Sequence, residues 1–95
     1  MKKFVKEIKA NLQAKQTMVI TRKYPEDETN NIFKGNEYEL FYWEGKWKSM
    51  GIQTATSNKL YYYNVPSNAL YWVRDITVGK QERIFTYENN QQVWW

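Results

Sequence analysis

"LYYYNVPSNALYWV", Leu60 to Val73, sets Tyr61, Tyr62, Tyr63, Tyr71 and Trp72 around Pro66, Ser67 and Asn68. Aromatic-rich runs on either side of a Pro/Ser/Asn cluster read as two strands joined by a turn. Side chains alternate across a strand, so Leu60 and Tyr62 share one face and Tyr61 and Tyr63 the other. In the second run Leu70, Trp72 and Ile76 point opposite to Tyr71 and Val73. Arg74 falls on the side of Trp72, so neither face is purely apolar.

The same pattern continues in both directions. "TMVITRKY" from Thr17 is rich in β-branched residues and stops at Pro25, which removes a ladder donor. "EYELFYW" alternates Tyr38, Leu40 and Tyr42 against Glu37, Glu39, Phe41 and Trp43, and a tight turn at "EGK" joins it to "WKSMGIQTA" as a hairpin. Trp47 lies on one face of that second strand while Met50 and Ile52 fall on the other, and such a slip beside Gly51 predicts a β-bulge. "SN" at 57 and 58 turns the chain into "KLYYYNV". "VGKQ" precedes "ERIFTYE", and Asn89-Asn90 is a two-residue hairpin turn into "QQVWW", because asparagine tolerates positive φ.

These signals predict an all-β domain over residues 17–95, an antiparallel β-sandwich of about seven strands, immunoglobulin-like or galactose-binding-like. No helix of crossover length separates the strands, which argues against a parallel α/β sheet. Residues 1–16 read as a leader or a short amphipathic helix, from the helix-like spacing of Phe4, Val5, Ile8 and Leu12.

Composition narrows the chemistry. The chain has 95 residues, the size of one domain with one core. It contains no cysteine and no histidine, which excludes disulfides, thiolate and imidazole catalysis and zinc sites built from those ligands. The net charge of +4 comes mostly from Lys2, Lys3, Lys6, Lys9 and Lys15 against the single Glu7. The remainder is electrically balanced, which argues against nucleic acid as a partner. No run of some eighteen apolar residues exists to span a membrane. "MKKFVKEIKANL" opens like a signal peptide, but Lys6, Glu7 and Lys9 interrupt the apolar region such a peptide needs.

The rings outnumber the places to bury them. About seven strands with roughly three inward positions each offer about 21 core sites. Leaving out Met1, the chain has eighteen Val, Ile, Leu and Met residues and seventeen aromatics. Most of these rings are explained as core and cross-strand pairs. The surplus is expected outside, as an aromatic platform for a sugar ring or for a neighbouring domain. Phe41 and Trp43 share a side with Glu37 and Glu39, so they lead the candidates, followed by Trp47 and the terminal Trp94 and Trp95.

Other candidates are weaker. Glu37 and Glu39 project to one face about 7 Å apart, between the two carboxyl separations used by glycosidases, but a solvated strand edge explains the spacing far better. In "PEDETNN", Glu26, Asp27, Glu28 and Asn30 offer oxygen ligands without the one-on, one-off spacing of a calcium loop, so no metal or cofactor is expected. The four glycines form no phosphate-cradling motif. No base is visible to activate a serine or tyrosine, and the expectation is a domain that is not an enzyme.

"YELFYWEGKWKSMGIQTA", "LYYYNVPSNALYWVRD" and "GKQERIFTYENNQQVWW" resemble the C-terminal β-module of large surface proteins of gut anaerobes, which carry transglutaminase-like and discoidin-like, galactose-binding-type domains. The resemblance covers Glu37 to Trp95, and its most specific parts are "NVPSNALYWVRD" and "ERIFTYENNQQVWW". It implies a non-catalytic accessory module of an exported, lipoprotein-borne multidomain protein, located outside the cytoplasm at the cell surface or in the periplasm. It transfers no catalytic residue, because the transglutaminase-like chemistry needs a cysteine and a histidine. A spacer domain without a ligand is the alternative role.

Overall fold

The computed structural model describes residues 10–23, 31–79 and 83–95. These form seven strands and, among the described residues, no helix: β1 (Asn11–Ile20), β2 (Glu37–Trp43), β3 (Trp47–Thr54), β4 (Leu60–Ser67), β5 (Tyr71–Asp75), β6 (Ile84–Glu88) and β7 (Gln91–Trp94). The expected helix at Phe4–Leu12 lies largely outside the described residues, and its last two positions, Asn11 and Leu12, are strand. β1 therefore starts inside the stretch expected as a leader. The Asn11 side-chain oxygen accepts the N–H groups of Gln13 and Ala14, a local turn that opens the strand.

All pairings are antiparallel and make two sheets, β1-β4 and β3-β2-β5-β6-β7. The all-β sandwich read from the sequence is the architecture found. The stretch Leu60–Val73 crosses between the layers: β4 belongs to the two-stranded sheet and β5 to the five-stranded one. β4 also runs further than its proline predicts, since Pro66 pairs with Lys15 and the turn follows at Asn68, where φ is +56°.

The core lies between the sheets. Met18 and Ile20 of β1 and Leu60, Tyr62 and Val65 of β4 meet Tyr38, Leu40, Tyr71, Val73 and Phe85 of the larger sheet, all of them buried. Alternation accounts for the opposite faces, with Tyr61 and Tyr63 exposed beside a buried Tyr62. Two bulges correct the parity where it would otherwise fail. Asn64 adopts φ +59° and is the extra residue between Tyr62 and Val65, so Tyr62 and Val65 both still point inward while Tyr63 stays exposed. Gly51 adopts φ +102° where the β2–β3 register shifts, as the sequence slip predicts.

Buried phenols find partners. The Tyr62 hydroxyl shares its proton between the carbonyls of Tyr38 (3.2 Å) and Gly51 (3.0 Å), and the Tyr71 hydroxyl donates to the Pro66 carbonyl at 2.6 Å. Burial pushes Tyr62 up to about 12 and raises Tyr38 and Tyr71 above the ordinary tyrosine value.

One buried charge pair caps the core. Lys23 Nζ meets Asp75 Oδ2 at 2.9 Å with side-chain exposures of 4% and 0%. Asn36 Nδ2 donates to the same oxygen at 3.3 Å, and the Val78 N–H donates to Oδ1 at 3.0 Å. Burial alone would raise the Asp75 carboxyl. The Lys23 ammonium and the Val78 and Asn36 donors outweigh burial and hold it below the usual value.

Asp75→Asn would leave Lys23 buried without a counter-charge and should cost about 3–5 kcal/mol of stability, read as a lower urea midpoint at neutral pH. Because the folded-state carboxyl is depressed, its contribution is present above the unfolded value near 3.9 and is lost as pH falls through the folded one. The three raised tyrosines act at the other end. Their contribution is complete below the unfolded value near 10 and is lost as pH rises through the folded values, so denaturation midpoints should fall from about pH 10 upward.

Candidate functional site

The outer face of the five-stranded sheet gathers the surplus rings. On β2 the outward residues are Glu37, Glu39, Phe41 and Trp43. Ladder pairing sets Phe41 opposite Trp72 and Ser49, Trp43 opposite Trp47, and Trp72 opposite Ile84. The bulge at Gly51 keeps Trp47 and Ser49 outward on β3 while Met50 turns toward the core.

The rings contact one another in a chain. Phe41 stacks on Trp72 with centroids 4.9 Å apart and planes at 25°. Trp47 meets Trp72 edge to face at 5.7 Å, and Trp43 meets Trp47 likewise at 5.3 Å. Both arrangements suit the ring quadrupole, with a positive edge on a negative face. Phe41, Trp43, Trp47 and Trp72 are each half-buried. The guanidinium of Arg74 lies 5.9 Å from the Trp72 ring centroid, within cation–π range.

Beside this cluster is an open cleft of about 280 Å³, lined by Trp47, Trp72, Arg83 and Ile84. Two of its lining residues are tied to Trp95: the Trp95 N–H donates to the Ile84 carbonyl at 3.0 Å, and the Arg83 side-chain Nε donates to the Trp95 backbone oxygen. The volume of about 280 Å³ falls just below the roughly 300–1,000 Å³ usual for small-molecule sites, enough for one ring of a larger ligand. A second hollow of about 220 Å³, lined by Thr21, Arg22, Asn31, Asn58 and Lys59, contains no aromatic ring.

Of the residues singled out in the sequence, Phe41, Trp43 and Trp47 come together here. Trp95 is half-buried and bonds through its backbone to Ile84 and Arg83, which line the cleft. Trp94 turns to the opposite face and packs on Phe85 with centroids 5.2 Å apart. Sequence reading placed Trp72 with Arg74 on one face but did not make it a site residue, and it passed over Arg83 and Ile84. Trp72 was legible from parity, since it is the outward ring of a strand whose inward residues, Tyr71 and Val73, are already apolar.

The carboxylate candidates do not converge. Glu39 Oε2 accepts the Ser49 hydroxyl at 2.6 Å, and Glu37 is exposed at the strand end. Residues 26–30 of the acidic stretch lie outside the described residues, and among the described residues no three His, Cys, Asp or Glu side chains cluster as a metal site would need. Among the described residues, no helix is long and apolar enough to cross a membrane.

No family model, curated protein or solved structure matches this chain. The functional reading therefore rests on the cleft itself.

The ring chain has a measurable energy. A double-mutant cycle of Phe41→Ala and Trp72→Ala should return a coupling of about 0.5–1.5 kcal/mol in chemical denaturation, the usual size for a stacked pair. Additive single losses would show that the stack contributes nothing beyond separate burial.

Proposed function

We propose that this chain is a non-catalytic binding module that receives a sugar ring of a glycan in the cleft lined by Trp47, Trp72, Arg83 and Ile84. The observation that carries the reading is the open cleft walled by two half-exposed tryptophans, on a sheet face where solvent-facing strands ordinarily carry polar side chains. The C–H face of a pyranose is apolar while its rim is rich in hydroxyls. A flat indole takes the face, and polar groups at the cleft edge take the rim. Arg83 stands at that edge.

The role fits a chain with no histidine and no cysteine, in which the described carboxylates are scattered. The resemblance of Glu37–Trp95 to accessory modules supports the same assignment, as part of an exported multidomain protein working outside the cytoplasm. A second reading has the outer face packing against a neighbouring domain, as in a spacer. Its support is Ile52, an apolar side chain 58% exposed opposite Glu39.

The two readings separate in a titration of intrinsic tryptophan fluorescence against a glycan panel. A saturable change is expected with at least one glycan, weakened at least about tenfold by Trp47→Ala, a loss of about 1.4 kcal/mol. A flat response across the panel would favour the spacer.

A further inference from the structure

We propose that the sugar held in the cleft is acidic, a hexuronate whose carboxylate is bound by arginine beside Trp72. This deepens the reading of the cleft as a sugar site and depends on it. Two guanidiniums border the same indole. Arg83 lines the cleft, oriented by its Nε–H bond to the Trp95 backbone oxygen. Arg74 is exposed, and its guanidinium carbon lies 5.9 Å from the Trp72 centroid.

The local charge balance favours an anion. None of the four residues lining the cleft is acidic. The nearest ladder neighbour of Arg74 is Glu39, which could neutralise it across the β2–β5 pairing. Instead the Glu39 carboxylate accepts the Ser49 hydroxyl on the opposite side, toward β3, at 2.6 Å. Among the described residues, no carboxylate forms an ion pair with Arg74, whereas Lys23 pairs with Asp75 and Lys48 with Glu44.

A planar guanidinium presents parallel N–H donors that match the two oxygens of a carboxylate, and it stays charged at every physiological pH. A neutral pyranose stacked on the indole would leave the exposed Arg74 guanidinium without an anionic partner. A uronate ring offers both an apolar face for the tryptophan and a carboxylate for the arginine. Its polymers repeat this pair of features, which suits a cleft sized for one ring.

The test compares oligogalacturonate with a neutral galacto-oligomer of the same length, by tryptophan fluorescence, at low salt and at roughly 0.5 M salt, where charge attraction is screened within a few ångströms. The uronate oligomer should bind at least about tenfold more tightly at low salt, equivalent to about 1.4 kcal/mol, and lose most of that margin at high salt. Arg74→Gln, an exposed change whose folding is checked by the melting temperature, should reduce the margin by weakening uronate binding more than neutral binding. Glu39→Gln should widen it.

Equal affinity for both oligomers, unmoved by salt, would overturn the acidic specificity and leave the sugar site standing. Tighter binding of an oligothymidylate than of either sugar would overturn it in favour of base stacking. A silent fluorescence trace with every ligand would take the sugar reading down as well.

Discussion

The register between β2 and β5 is the constraint on which the rest depends. Five consecutive pairs run from Tyr38 opposite Asp75 to Tyr42 opposite Tyr71. Together they place Tyr38, Leu40, Tyr71 and Val73 inside and Phe41 against Trp72 outside. A slip by one residue on either strand would exchange the faces, sending phenols to solvent and indoles into the core. The bottom of the sandwich and the ring cluster are thus two sides of one ladder. The cleft cannot be built without the core, because its central stack is the reverse face of the core's central pair.

At one end of that ladder Asp75 ties separate segments together. Its carboxylate takes Lys23 from beyond β1, Asn36 from just before β2 and the Val78 amide from the following turn, while its carbonyl accepts the Gly79 amide. Such a charge is tolerated in a buried place only because its oxygens are provided with donors. At the other end Tyr71 reaches the Pro66 carbonyl and so locks the crossover between the sheets. The polar groups inside this domain are concentrated where the chain changes layer.

Much of this was legible before any coordinates. Seven runs of alternating residues became seven strands, and the slip at Gly51 became a bulge, because both signals depend on local sterics. Parity also sets Phe41 and Trp43 on one face, and the β2–β3 register brings Trp47 to the same one. What the sequence could not show was pairing at a distance. Nothing local says that β4 joins β1 while β5 joins β2, that Lys23 would meet Asp75, or that Trp94 and not Trp95 would turn inward onto Phe85. The bulge at Asn64 was hidden because asparagine reads as readily as a turn residue.

The two sheets are joined at their margins by side-chain amides. Gln92 of β7 accepts the Thr21 and Arg22 N–H groups and donates to the Arg22 carbonyl, acting toward the end of β1 as one rung of backbone would. The Tyr87 hydroxyl accepts the Val19 N–H on the same side, and across the fold Gln53 of β3 donates to the Tyr61 carbonyl of β4. Each of these bonds occupies a strand-edge group that another chain would need for lateral pairing. A molecule with exposed tyrosines and half-exposed tryptophans is one whose copies would stick together through open strand margins. Here a few glutamines and a tyrosine serve as stoppers at those margins, so the flat aromatic face can stay outward while part of the strand edge is closed to fibril-like growth.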